Sequence, residues 1–171
     1  TTQTRLQAFD DLATNGDDTI IGGDAPDTLR GGPGDDVLNG SGDNDVFVYA
    51  IGDGNDTLTT DDTANEFEFI QITGVPVEEV IFSRIQGTRD LRAAQPSLDE
   101  DLLITFANNP GPIRVENGLR QASDINRVEI VDSSVTLTDA DVFNRVLASD
   151  IASGSTILEG PSTGSVIFPS G

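Results

Sequence analysis

A nine-residue pattern rich in glycine and aspartate recurs near the start of this chain and limits its fold more than any other feature. Residues 31–39 read GGPGDDVLN, with glycine at positions one, two and four, aspartate at position six and a large apolar residue at position eight. Aspartate at position six and an apolar residue at position eight recur in residues 13–21, 22–30, 40–48 and, after two extra residues, 51–59, with some of the glycines. A sequence that repeats at a fixed period folds as a stack of similar units.

Each nine-residue motif predicts a six-residue turn followed by a three-residue strand. Glycine permits the positive φ that tight turns require. Position seven is always β-branched and position eight always large and apolar, which suits a short strand with one buried face. The position-eight residues are Ile20, Leu29, Leu38, Phe47 and Leu58. Because two motifs make one coil, alternate motifs would stack in the same sheet, and the predicted fold is all-β, a parallel β-roll.

The same stacking brings the position-six aspartates together. Asp18 would face Asp36, Asp27 would face Asp45, and Asp36 would also face Asp56. Like charges at short range repel each other unless a cation lies between them. Oxygen ligands without nitrogen or sulfur favour Ca²⁺ or Mg²⁺, and Ca²⁺ also accepts backbone carbonyls in a flexible geometry. The three facing pairs therefore predict about three bound Ca²⁺ ions.

The overall charge agrees with a cation-binding role. The chain of 171 residues has 30 acidic and 9 basic residues, a net charge of −21. Residues 1–65 hold 14 aspartates against Arg5 and Arg30, a balance of 2 − 14 = −12. Such a field attracts cations and repels nucleic acid and anionic membrane surfaces, so we expect no nucleic-acid partner. A merely soluble or halophilic surface would not confine aspartate to one phase of a repeat.

Composition excludes several kinds of site. The chain has no cysteine, histidine, methionine or tryptophan, so it offers no disulfide and no thiolate or imidazole for zinc, a Ser-His-Asp triad or a Cys-His site. No run approaches the roughly 18 apolar residues of a membrane span. Clustered carboxylates can indicate a glycosidase, but these aspartates recur at turn positions. We therefore expect no catalysis within this chain, which reads as a piece of a larger protein whose upstream domain could be catalytic.

The motifs resemble the haemolysin-type calcium-binding repeats of the RTX (repeats-in-toxin) family. The resemblance covers residues 13–59, is complete in GGPGDDVLN and ends in the characteristic GDGNDTL. It implies a module that folds on binding Ca²⁺ outside the cell and supports the secretion, folding and stability of a larger secreted protein. It further implies export by the type I secretion machinery, an extracellular location and a Gram-negative bacterial source.

The resemblance also implies a ligand set. Carboxylates at position six and carbonyls near positions two and four would hold the ions. The implied carboxylate ligands are Asp18, Asp27, Asp36, Asp45 and Asp56, and the implied carbonyl ligands are Thr14, Gly16, Gly23, Ala25, Gly32, Gly34, Ser41, Asp43, Gly52 and Gly54. Ala25 departs from the pattern and precedes a proline, which favours extended backbone. We expect a distorted turn there and a weaker site between Asp27 and Asp45.

The rest of the chain predicts a β-rich flank with one helix. Apolar and polar residues alternate after the repeats, which is typical of strands, and the order of elements resembles the segment that often follows RTX repeats. LTDADVFNRVLA predicts a helix near 139–148, with Thr138 as N-cap and Asp141 at N3. Residues 87–98 read as an insertion, made locally basic by Arg84, Arg89 and Arg92. We expect a loop that pairs with Asp99, Glu100 and Asp101, and a binding loop is the alternative.

The predicted organisation has four parts. They are an N-terminal cap in residues 1–12, the β-roll in 13–62, the flank in 63–150 and a tail in 151–171. The tail is either a secretion-signal region, as the resemblance implies, or an edge strand with a frayed end. The main rival function is a calcium-rigidified adhesion module, in which the β-strands of residues 66–137 and the segment 84–92 would contact an extracellular glycan or protein.

Overall fold

The structure is a computed structural model that describes residues 2–4, 14–59, 67–86, 100–116, 118–119 and 125–153. Within these residues, strands form two sheets around one apolar core. The first sheet has the spatial order β1 (Thr2–Thr4), β2 (Thr19–Ile21), β4 (Val37–Asn39), β6 (Asp56–Thr59), β10 (Asn109–Val115), β9 (Glu100–Phe106) and β8 (Val80–Gln86). The second has the order β12 (Val135–Thr138), β11 (Ile125–Ile130), β7 (Glu68–Thr73), β5 (Val46–Ala50) and β3 (Thr28–Leu29).

The repeat strands alternate between the two sheets, as the nine-residue period predicts. In the first sheet β2, β4 and β6 pair in parallel, with Ile20 opposite Leu38 and Leu38 opposite Leu58. In the second sheet β3 and β5 pair in parallel, with Leu29 opposite Phe47. All five side chains are buried. The position-eight residues thus supply the apolar inner face of both sheets in this part of the chain.

Both sheets are mixed, because the parallel pairing predicted for the repeats extends only to their immediate neighbours in the flank. β10 is parallel to β6 and β11 is parallel to β7. β9, β8 and β12 then continue the sheets in antiparallel pairs. The flank therefore extends the same two sheets as the repeats. The physical reason is that β6 and β7 would otherwise present unpaired backbone edges, which accept any strand of suitable pattern.

One helix, α1 (Asp139–Ser153), packs against β8, β11 and β12 and covers the region predicted to be helical. Its start has a capping box, because Asp141 Oδ2 accepts hydrogen bonds from the Thr138 N–H at 3.0 Å and the Thr138 hydroxyl at 2.7 Å. Val142 and Val146 are the apolar side chains that it buries. No helix in the described part of the chain is long and apolar enough to cross a membrane.

Among the described residues of the flank, two ion pairs join neighbouring elements, with partners that the sequence did not indicate. Arg84 Nε on β8 lies 2.7 Å from Asp150 Oδ2 on α1, and both side chains are largely buried. Arg114 Nη2 on β10 lies 2.6 Å from Asp101 Oδ2 on the neighbouring strand β9. The insertion at 87–98 lies outside the described residues, as do most of the cap at 1–12 and the tail beyond 153, so these assignments stay predictions.

Candidate metal centre

The turns that precede the repeat strands stack in two columns. We call residues 14–18, 31–36 and 51–56 the first column, and residues 22–27 and 40–45 the second column. In order along the chain, these are turns one, three and five in the first column and turns two and four in the second. All five position-six carboxylates are buried: Asp18, Asp27, Asp36, Asp45 and Asp56. Aspartate is rarely buried so completely unless another group compensates its charge.

The position-six carboxylates form hydrogen-bonded ladders from one coil to the next. In the first column Asp36 Oδ1 accepts the Asp18 N–H at 2.7 Å, and Asp56 Oδ1 accepts the Asp36 N–H at 3.2 Å. In the second column Asp45 Oδ1 accepts the Asp27 N–H at 2.9 Å. The structure therefore brings together the three pairs of aspartates that the repeat places face to face. Their assignment as metal ligands stays a prediction.

The ladder of the second column continues one coil further than the repeat indicated. Glu68 Oε2 accepts the Asp45 N–H at 3.0 Å, and Asn126 Oδ1 in turn accepts the Glu68 N–H at 3.0 Å. Glu68 is only 1% exposed. It occupies position six of a sixth motif, which was missed because it has glutamate in place of aspartate and lacks the glycines. The available signal was Ile70, a large apolar residue two places later.

A second ladder runs through position five of the first column and was also missed. Asp17 Oδ1 accepts the Asp35 N–H at 3.0 Å. Asp35 Oδ1 accepts the Asn55 N–H at 2.9 Å and the Asn55 side-chain amide at 2.8 Å. Each coil thus bonds to the next through two adjacent side chains, which locks the register of the turns.

The backbones of the turns differ in conformation. Turns three, four and five have positive φ at positions two and four: Gly32 (81°), Gly34 (150°), Ser41 (67°), Asp43 (75°), Gly52 (100°) and Gly54 (121°). In turns one and two the corresponding residues Gly16, Gly23 and Ala25 do not have positive φ. The distortion expected around Ala25 is therefore present, and turn one shares it.

In turns one and two, the position-six carboxylate accepts hydrogen bonds from its own turn. Asp18 Oδ2 accepts hydrogen bonds from the Thr14 hydroxyl at 2.7 Å and from the Thr14 N–H at 2.8 Å. These bonds hold the pKa of Asp18 below its ordinary value. Asp27 Oδ2 accepts the Gly23 N–H at 2.7 Å. Asp18 Oδ2 and Asp27 Oδ2 thus already receive hydrogen bonds from within their own turns.

In turn three the carboxylate of Asp36 receives no such hydrogen bond from its own turn. Asp36 Oδ2 is buried and has no hydrogen-bond partner among the described residues. Burial raises the pKa of Asp36, and the nearby charge of Asp18 contributes to the shift. A buried carboxylate oxygen without a partner is unfavourable unless a cation or donor reaches it.

Close stacking of the turns explains the glycines at position four. A Cβ added to Gly34 would lie 2.7 Å from the Gly16 carbonyl carbon, and one added to Gly54 would overlap the Gly34 carbonyl oxygen. Real side chains do not pack so tightly against backbone. The position-four peptide groups of the first column therefore lie directly on top of one another.

The family model of the RTX calcium-binding nonapeptide repeat matches residues 12–47 in four copies. These residues are RTX repeats. The resemblance seen in the sequence is thereby confirmed, and Ca²⁺ is the ion that the repeats imply. The fifth motif, residues 51–59, lies beyond the matched range but stacks in register on the third. A comparison of the chain with curated proteins found no match.

The donor set of the RTX turns fits a calcium ion. Burial raises the pKa of Asp56 to about 7, and the charges of Asp36 and Asp53 add to the effect. A divalent cation between Asp36 and Asp56 would remove this penalty. The described residues contain no group of three or more acidic side chains arranged to hold a metal. Backbone carbonyls from the positive-φ positions would therefore have to complete the coordination shell, as Ca²⁺ allows.

Proposed function

We propose that this chain is a calcium-binding RTX module that folds as a β-roll when it meets Ca²⁺ outside the cell. It supports the secretion, folding and stability of a larger secreted bacterial protein, and the type I machinery exports it as an unfolded chain. The observation that carries the proposal is the buried, unpartnered Asp36 Oδ2, which lies within a ladder of buried carboxylates. Such an arrangement is unfavourable until a cation neutralises it.

The coupling of folding to calcium follows from the small apolar content of the repeats. Each nine-residue motif buries one large apolar side chain, whereas every ordered residue loses backbone entropy worth about 1–2 kcal/mol. Low hydrophobicity and high charge favour the disordered state. An ion that binds only the folded state stabilises it by about 2.7 kcal/mol when its concentration is a hundred times the Kd. Calcium modules of extracellular proteins have Kd values of about 10⁻⁴–10⁻³ M, so the calcium-poor cytosol would leave the chain unfolded.

The ladder pairs supply about three calcium sites in this proposal. The pair of Asp36 and Asp56 has the strongest support, because both of its turns have positive φ at positions two and four. The pairs of Asp18 with Asp36 and of Asp27 with Asp45 each join one such turn to one whose carboxylate accepts hydrogen bonds from its own turn. Any enzymatic activity of the parent protein would reside in another domain, since the RTX turns offer carboxylates at ladder positions and no histidine base.

A calcium-rigidified adhesion or carbohydrate- or protein-binding module is the second candidate. One observation favours it: the Arg127 guanidinium lies 4.3 Å from the ring centre of Phe69 on the outer face of the second sheet. Exposed arginine–aromatic pairs are common in recognition surfaces. The segment at 84–92 has less support as the contact surface, because Arg84 is already engaged with Asp150. Retention of a glycan or protein by the wild-type chain, lost in Arg127→Ala with unchanged calcium-induced folding, would favour this candidate.

Circular dichroism during a Ca²⁺ titration, with Mg²⁺ as control, tests the main proposal. We expect a coil-to-β change with Ca²⁺ and a weak change or none with Mg²⁺. Asp36→Asn should raise the calcium midpoint more than Asp27→Asn, because Asp36 belongs to two ladder pairs and Asp27 to one. Equal midpoints for the two variants would contradict the assignment of the sites, and a fold that ignores calcium altogether would contradict the function.

A further inference from the structure

The irregular start of β10, residues 109–113, forms a further turn of the first column that the repeat pattern does not reveal. β10 lies parallel to β6 with Ile113 opposite Asp56, so residues 109–113, NPGPI, stand at the level of positions two to six of a motif. Gly111 falls at position four and has a φ of 105°. A Cβ added to Gly111 would overlap the Gly54 carbonyl oxygen. The turn at 109–113 therefore stacks on turn five as turn five stacks on turn three.

The turn at 109–113 lacks the side chains that form both ladders. At position six Ile113 has no carboxylate to face Asp56, and it is fully buried in the apolar core. At position five Pro112 has no N–H to donate to the side chain of Asn55. Next to Asp56, the backbone therefore has the conformation of an RTX turn, but the position-six carboxylate is missing. Ca²⁺ requires six to eight oxygens, usually with carboxylates among them.

The hydroxyl of Tyr49 lies between turn five and the turn at 109–113. The Tyr49 hydroxyl oxygen is 2.8 Å from the Gly111 carbonyl oxygen and 3.0 Å from the Gly54 carbonyl oxygen. Tyr49 is 3% exposed, and its ring stacks on Phe106 with centroids 5.5 Å apart. It is one of the two extra residues between motifs four and five. The break in the nine-residue period therefore introduces the side chain that reaches both carbonyls.

We propose that the Tyr49 hydroxyl takes the place of a calcium ion between turn five and the turn at 109–113, and so ends the metal column at the pair of Asp36 and Asp56. The inference rests on the proposed function, because it specifies which levels of the column bind calcium. The single hydroxyl proton is shared between the Gly111 and Gly54 carbonyl oxygens, and it adds no charge next to the apolar Ile113, as an ion would.

Tyr49→Phe in the full chain tests the proposal, with native mass spectrometry to count bound ions and urea denaturation at saturating Ca²⁺. We expect an unchanged number of ions and a folding equilibrium constant about tenfold lower, the effect of losing a hydrogen bond to buried carbonyls. Thr73→Val is the matched control, since it removes a hydroxyl that makes only a long 3.4 Å bond to the Tyr49 carbonyl oxygen. Its effect should be smaller.

Two results would overturn the proposal. The first is the loss of one bound ion in Tyr49→Phe, which would show that the hydroxyl is a calcium ligand. The second is a folding equilibrium constant equal to that of Thr73→Val, which would show that the hydroxyl does not stabilise the fold.

The wild-type chain gives an independent readout, because Tyr49 is its single tyrosine and it has no tryptophan. Calcium should leave the near-ultraviolet absorbance free of a phenolate band at neutral pH, and the appearance of that band would indicate a metal–phenolate bond. If wild type bound no calcium, the proposed function would fail first, whatever Tyr49→Phe did.

Discussion

Asparagine in place of Asp56 should stabilise the metal-free fold and weaken the calcium-bound one. The Asp56 carboxylate is 3% exposed, and its Oδ1 accepts the Asp36 N–H at 3.2 Å. Asparagine keeps an oxygen for that bond but carries no charge. The substitution therefore removes the buried charge while leaving the ladder intact, and the sign of its effect depends on whether a cation is present.

The magnitude in chelator follows from the pKa of Asp56, which rises from 3.8 to about 7 in the fold. A group with a raised folded-state pKa stabilises the fold fully below its unfolded pKa and loses that contribution as the pH rises through the folded value. Wild type should therefore lose roughly 4 kcal/mol of stability as the pH rises from 3.8 through 7, about three pKa units at 1.36 kcal/mol each. Asp56→Asn should be free of this loss, so its advantage grows over the same range.

In calcium the effect reverses, because the variant lacks a carboxylate ligand. Loss of one site that is filled at a hundredfold excess of ion over Kd would cost about 2.7 kcal/mol. The assay is circular dichroism in chelator at pH 5 and pH 8, with an osmolyte titration to induce folding, followed by the same measurements in saturating Ca²⁺. Asp24→Asn, an exposed carboxylate of turn two, is the control and should change little in either medium.

Two outcomes would refute the reasoning about Asp56. One is a variant that is less stable than wild type in chelator at pH 8. The other is an advantage in chelator that is the same at pH 5 and pH 8, which would mean that the burial of the Asp56 charge does not limit the metal-free fold.

Three further substitutions test other parts of the structure by urea denaturation in calcium. Asp150→Ala removes the ion-pair partner of the buried arginine on β8 and should cost about 3–5 kcal/mol; a loss under 1 kcal/mol would show that the pair is not buried. Thr138→Ala should cost about 1 kcal/mol through loss of the capping box. The hydrogen bonds of this cap lower the pKa of Asp141, so the cap stabilises the fold fully above pH 3.8 and loses this stabilisation as the pH falls further. Gly54→Ala should be far more harmful than Gly52→Ala, since both have positive φ but an added Cβ has nothing within 4 Å at Gly52; equal losses would contradict the stacking of the turns.

The register of the repeats follows from the sequence because their stacking is a local, periodic property. Each motif must bury its position-eight side chain, so Leu38 lies on Ile20 and Leu58 on Leu38 once two motifs make a coil. That register alone places Asp36 next to Asp18. The helix α1 was also predictable, since its cap and its apolar face lie within a few residues of each other.

Where the columns end was not predictable from the repeat. Glu68 joins the second column with no glycine pattern before it, and Asn126 meets it from 58 residues away. The Tyr49 hydroxyl bonds to the Gly111 carbonyl from 62 residues away. The partners of Arg84 and Asp101 also come from elements that no local pattern links to them.

The repeating coil, its strand register and the rows of facing aspartates thus follow from the sequence alone. The tertiary structure decided which strands complete the sheets and which side chains close the columns. The physical reason is that a repeat specifies contacts between units of the same kind, whereas the last unit must bind something unlike itself. Its partner is selected by the backbone edges and buried carbonyls that remain unsatisfied after the whole chain has packed.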